Sequence, residues 1–213
     1  MDKKYAIFDM DGTLIDSMRY WKELGREYLA ARGVTGDLTG ILERIKPMTM
    51  TESAALFRET FGLPGTAGEI AAQMNGMIEG HYRADIPLKA GVREVLDALR
   101  GRGVKLCVAS ATAHELMEAC LARLGVLGHF DFLLSCEAVG AGKDRPDVYF
   151  EAARRLGVQP REAAVYEDAL YAAQTAARAG FYVVGVYDEA GAKHWDALAA
   201  LADETIRDWT EVI

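Results

Sequence analysis

The chain has 213 residues, 51% of them hydrophobic and 26% charged, a balance that suits a globular protein able to bury a proper core. A formal net charge of -8 argues against a nucleic-acid or anionic-membrane surface, since either needs a net basic patch. A small anionic substrate is still allowed, provided that a few cations sit locally around it.

Along the chain, Met1-Asp2-Lys3-Lys4 leads into an apolar stretch too short for a signal sequence, and no run is long and apolar enough to span a bilayer. The expected location is therefore the cytoplasm. A first strand is predicted over residues 5–8. From residue 17 to about 89 no strand pattern follows, only helical periodicity over 17–32, 38–45, 51–61 and 67–82. Beyond that, helices (92–102, 113–124, 148–156, 169–179) alternate with short apolar strands (106–109, 132–134, 163–166, 182–186). These four helices run up to Gly103, Gly125, Gly157 and Gly180, as left-handed C-caps require, and Thr112 with Glu115 reads as a capping box. Strands apolar on both faces suit a parallel sheet covered on both sides. The expected fold is α/β, a doubly wound, Rossmann-like parallel sheet with an inserted α-helical block. Cys107, Cys120 and Cys136 form no metal-binding pattern and read as reduced core residues.

The residues that carry chemistry fall where these strands end. Asp9 and Asp11, in Asp9-Met10-Asp11-Gly12-Thr13, are two apart at the end of the first strand and so project together. Two carboxylates in one small volume imply a bound divalent cation or one carboxyl kept protonated, and both suit phosphoryl transfer. Ser110 ends the second strand just before Ala111-Thr112 opens a helix, a natural place for an anion. Lys143 lies in the turn-rich loop Gly140-Ala141-Gly142-Lys143-Asp144-Arg145-Pro146-Asp147. Glu167-Asp168 close the strand at 163–166, where helix N-terminal acids alone would explain one acid better than two. All lie at C-terminal strand ends, the edge at which open parallel sheets bind ligands.

Together these four stretches resemble the motifs of the haloacid dehalogenase superfamily over essentially the whole chain. The resemblance implies that Asp9 is a nucleophile forming an aspartyl-phosphate and that Asp11 is the general acid and base. It implies that Ser110, with Ala111 and Lys143, holds the phosphoryl group, and that Asp9, Asp11 through its main-chain carbonyl, Asp168 and Glu167 bind Mg2+. One departure is Asp144, where relatives commonly carry Pro. The helical block takes the position of a C1 cap, dividing the chain into a catalytic core (1–16 and 89–213) and a cap (17–88), with hinges near Asp16-Ser17 and residues 86–91.

The implied activity is a magnesium-dependent phosphatase acting on a small phosphorylated metabolite, with no nucleic-acid or membrane partner and no readable oligomeric state. A β-phosphoglucomutase-like mutase shares the core motifs, and a non-catalytic phospho-ligand binder is disfavoured by the intact acid pair. Hydrolysis is expected over the mutase reaction because Trp21 stands where mutase relatives carry a cap His, and an indole cannot accept a proton. Packing of the first cap helix is the expected role of that indole. Lys46 and Thr49 in the cap, and His114 after the second motif, are the expected specificity positions.

Overall fold

A computed structural model describes residues 3–212, so Met1 and Asp2 of the N-terminal stretch lie outside the described residues. Six strands pair in parallel in the order β3-β2-β1-β4-β5-β6, with β1 at Tyr5–Phe8, β2 at Lys105–Ser110, β3 at Phe132–Ser135, β4 at Ala163–Glu167, β5 at Tyr182–Val186 and β6 at Glu204–Ile206. The strand order reverses between β1 and β4, and the crevice at such a reversal is where an open sheet binds its ligand.

The two-residue period of the strands divides the core into two layers. Ala6, Phe8, Leu106, Val108, Ala164 and Tyr166 face α5 (Val92–Gly101) and α6 (His114–Arg123). Ile7, Cys107, Ala109, Val165 and Val183 face α8 (Asp147–Leu156), α9 (Leu170–Arg178) and α10 (Trp195–Leu201), while the short α7 (Cys136–Val139) follows β3. All three cysteines are buried in these layers as free thiols, and burial pushes Cys120 up to about 11 and Cys136 up to about 12. The glycines expected to end core helices are left-handed, with φ of 74°, 68°, 74° and 85° at Gly103, Gly125, Gly157 and Gly180. Edge strand β6 and helix α10 escaped the sequence reading, since a three-residue strand leaves almost no periodicity to detect.

Between β1 and α5 lie four helices, α1 (Met18–Ala30), α2 (Thr39–Ile45), α3 (Met50–Phe61) and α4 (Ala67–Ala84). Reciprocal capping boxes at Thr49/Glu52 and Thr66/Glu69 fix the starts of α3 and α4. The two connections to the sheet run side by side: Asp16 donates its N–H to the Pro87 carbonyl (3.0 Å) and Lys89 donates to that of Leu14 (3.0 Å), around an antiparallel bridge of Ile15 with Leu88.

The helical layer rests on the core through its α2–α3 loop. The Lys143 N–H donates to the Pro47 carbonyl (2.9 Å), the Tyr171 hydroxyl to the Lys46 carbonyl (2.8 Å), and the Thr51 N–H to Glu137 Oε1 (2.8 Å). Any Cβ on Gly142 would overlap the Pro47 carbonyl oxygen, so only glycine permits this approach.

Candidate active site

Strand β1 delivers Asp9 to the reversal point, where the Asp9 N–H still donates to the Tyr166 carbonyl of β4 (3.0 Å). The chain then turns back on itself, with Leu14 and Ile15 both donating to the Met10 carbonyl (2.9 and 3.1 Å). Gly12 has φ 82°, and a side chain there would strike the Asp168 carboxylate as well as strain the backbone. From the far end of the chain, the buried Trp209 indole N–H clamps the turn by donating to the Thr13 carbonyl (3.0 Å).

The carboxylates of Asp9, Glu167 and Asp168, all buried, lie within 4.8 Å of one another. Lys143 enters from its loop and donates to Asp9 Oδ1 (2.5 Å) and Glu167 Oε1 (2.6 Å), and the Tyr149 hydroxyl donates to the same Glu167 oxygen (2.7 Å). Thr13 Oγ1 donates to Asp168 Oδ1 (3.2 Å). One ammonium cannot balance three carboxylates. Burial is the first reason that Asp9 is raised to about 7, with Lys143 opposing and Glu167 and Asp11 adding to the rise. Asp168 is likewise held well above the carboxylate range, first by burial and then by Asp9 and Glu167. Burial opposes the Lys143 charge, but Asp9 and Glu167 outweigh it and keep the ammonium protonated. A compact, all-oxygen donor set with surplus negative charge fits a hard divalent cation.

This imbalance predicts a pH response. Asp9 and Asp168 bind protons more tightly in the folded metal-free protein than in the unfolded chain, so their contribution is full below about pH 4 and is lost as pH rises through about 7 for Asp9. Without magnesium, the melting temperature should therefore fall between pH 5 and 8 through this cluster. Saturating magnesium should flatten the fall, since a cation held by this cluster would take the place of those protons. The test is thermal unfolding across that range with EDTA and with magnesium; parallel curves would show that the cluster does not bind the ion.

Asp11 sits apart from the three-carboxylate group, and its carboxylate is surrounded by hydroxyls. Oδ1 accepts from Ser17 Oγ (2.6 Å) and from the Tyr82 hydroxyl; Oδ2 accepts from Thr112 Oγ1 (2.5 Å) and, at 3.4 Å, from Ser110 Oγ. Ser17 begins the helical layer, Tyr82 comes from α4, Ser110 ends β2 and Thr112 follows it, so helical layer and core meet at this side chain.

Ser110 is buried, its hydroxyl accepting the Thr112 N–H (3.2 Å), and Ala111 lies between them ahead of α6. The capping box expected of Thr112 and Glu115 does not form. Helix α6 starts at His114 with Ala113 as its N-cap and no side-chain cap bond, which leaves Thr112 one residue too early to cap it, and the Thr112 hydroxyl donates to Asp11. Lys46 directs its ammonium to Glu43 on the surface (2.7 Å), Thr49 spends its hydroxyl on capping α3, and His114 is exposed on the first turn of α6. Trp21 does pack against the core, as expected of the first helix, but its indole N–H also donates to the Tyr82 hydroxyl (2.7 Å). The sequence reading missed Ser17, Tyr82, Tyr149 and Tyr171. Ser17 closes the first motif and carried a usable signal, whereas a tyrosine 71 residues from Asp11 in an amphipathic helix carried none.

The model of one family, "haloacid dehalogenase-like hydrolase", matches residues 3–180. Among curated relatives, validoxylamine A 7'-phosphate phosphatase of Streptomyces hygroscopicus subsp. limoneus is 32% identical over 98% of this chain and 95% of its own length. Fructose-1-phosphate phosphatase YqaB of Escherichia coli is 29% identical over 87% of this chain and 98% of its own. Among solved structures, CbbY from Rhodobacter sphaeroides in complex with phosphate superposes with a TM-score of 0.82 at 24% identity, covering 99% of this chain and 96% of that one, and so shares the fold. With the family's model matching most of the chain, the chain belongs to the haloacid dehalogenase-like hydrolases and is an enzyme related along its length to phosphatases.

Proposed function

We propose that the chain is a magnesium-dependent phosphatase that hydrolyses a small phosphorylated sugar or polyol through an aspartyl-phosphate on Asp9, with residues 17–88 acting as the cap over a core formed by 1–16 and 89–213. The observation that carries the reading is Asp9 at the strand-order reversal, held by Lys143 within the buried group of Glu167 and Asp168. The phosphatase names of relatives matched along nearly the whole chain support the substrate class.

In this reading Asp9, Glu167 and Asp168 hold magnesium, with the Asp11 main-chain carbonyl as a further ligand; when bound, the ion offsets charge on the carboxylates and the phosphoryl oxygens. Asp9 attacks phosphorus, forming the Asp9 O–P bond as the bond to the leaving oxygen breaks. Lys143 favours the ionised form of Asp9 and, with Ser110 and the Ala111 backbone, steadies the phosphoryl group. Asp11 gives its proton to the leaving oxygen. It then takes one from the water that attacks phosphorus, which releases inorganic phosphate and restores the Asp9 carboxylate. With the α2–α3 loop docked on Gly142-Lys143, bulk water is kept from the phosphoryl group.

A panel of sugar, polyol and nucleoside monophosphates, read by inorganic phosphate release with magnesium and with EDTA, tests this reading. Fastest hydrolysis is expected for a hexose or polyol phosphate, and none with EDTA. The mutase alternative is tested alongside with β-glucose 1-phosphate and a catalytic amount of β-glucose 1,6-bisphosphate. Isomerisation outrunning phosphate release would overturn the choice of hydrolase.

A further inference from the structure

Among the groups around Asp11, Tyr82 is the one no catalytic motif accounts for. Its ring is fully buried near the end of α4, and its hydroxyl donates to Asp11 Oδ1 while accepting the Trp21 indole N–H (2.7 Å). Its backbone carbonyl accepts from Arg123 Nε of α6 (3.1 Å), so its main chain is tied to the core while its phenol bridges α1 and Asp11. Thr112 Oγ1 lies 3.3 Å from the same hydroxyl. Burial and the Asp11 charge keep the phenol protonated, so it remains a donor. Donation from Trp21 into the phenol oxygen polarises its O–H and strengthens the bond onward to Asp11.

We propose that Tyr82, reinforced by Trp21, is a positioning residue that holds the Asp11 carboxyl in register for proton transfer to the leaving oxygen and ties that register to the seating of the helical layer. The proposal rests on the reading of Asp11 as the leaving-group acid. A carboxyl anchored only by Ser17, Ser110 and Thr112 keeps its place on the hinge and the core but loses its one bond from α4. Proton transfer matters most when the leaving group is a poor one, as an alkoxide is, and least for a nitrophenolate, which departs without help.

The expected signature of Tyr82→Phe is thus selective. Relative to wild type, kcat/KM for the best alkyl phosphate of the panel should fall about 10- to 100-fold more than kcat/KM for p-nitrophenyl phosphate, the scale of a hydrogen bond to a charged group. The loss should appear in kcat rather than KM. Trp21→Phe, which keeps a ring but removes the N–H, should move the ratio the same way by a smaller factor. Circular dichroism and thermal unfolding confirm that each variant is folded, and the ratio between substrates cancels any inactive fraction. Equal losses on both substrates, no loss, or a gain on the alkyl phosphate would overturn the proposal while leaving the phosphatase reading intact. Wild-type enzyme inert towards every phosphate ester would instead sink that reading, and this inference with it.

Discussion

Asp9→Asn should abolish turnover, by on the order of 10⁴-fold or more, the scale on which removing a covalent nucleophile acts. The amide has no carboxylate to form an acyl-phosphate, and it removes one of the three buried acids. The fold should survive, because the amide oxygen can still accept from Lys143, whose second bond to Glu167 is untouched. Metal-free stability at neutral pH should even rise. One of the repelling carboxylates is gone, and with it the cost of ionising a group whose proton is held up to about 7. Steady-state phosphate release alongside thermal unfolding checks both halves. Magnesium-dependent hydrolysis above a trace in a folded variant would remove Asp9 as nucleophile.

Lys143→Met should damage stability as well as chemistry. The ammonium is buried and is the hydrogen-bonded cation between Asp9 and Glu167, so a thioether in its place leaves Glu167 its bond from the Tyr149 hydroxyl but takes the positive charge from between the two acids. Breaking a buried pair from one side costs roughly 3–5 kcal/mol. That cost should be largest near neutral pH and shrink in acid, where the carboxyls are protonated. Urea unfolding at pH 5 and pH 7.5, with EDTA and with magnesium, gives the measurement. Unaltered stability at pH 7.5 without metal would mean that the acids are balanced by something other than Lys143. Activity should fall in parallel at every magnesium concentration, since the ion cannot take over the bond to Asp9 Oδ1 that Lys143 supplies.

Much of this protein was legible in its sequence because local chemistry decides it. Apolar four- to six-residue runs ending in Asp9, Ser110 and Glu167-Asp168 can do little but form buried parallel strands with polar residues at their C-terminal ends. Glycines at helix ends announce their caps in the same way, because only glycine takes the left-handed conformation at no steric cost. What the tertiary structure alone decided is which side chains meet. Thr112 stands one residue ahead of the Ala113 N-cap of α6, and its hydroxyl donates to Asp11, a partner 101 residues away that no local pattern announces. Thr49, by contrast, satisfies its local rule and caps α3 rather than reaching for a ligand. Tyr82 obeys the periodicity of α4 and would pass for core; only the crossing of α4 over α6 brings its hydroxyl to the acid. Propensity and periodicity act over a few residues and specify elements, whereas Asp11's surroundings bring Tyr82 of α4 and Ser110 and Thr112 at the end of β2 together with nearby Ser17 by packing.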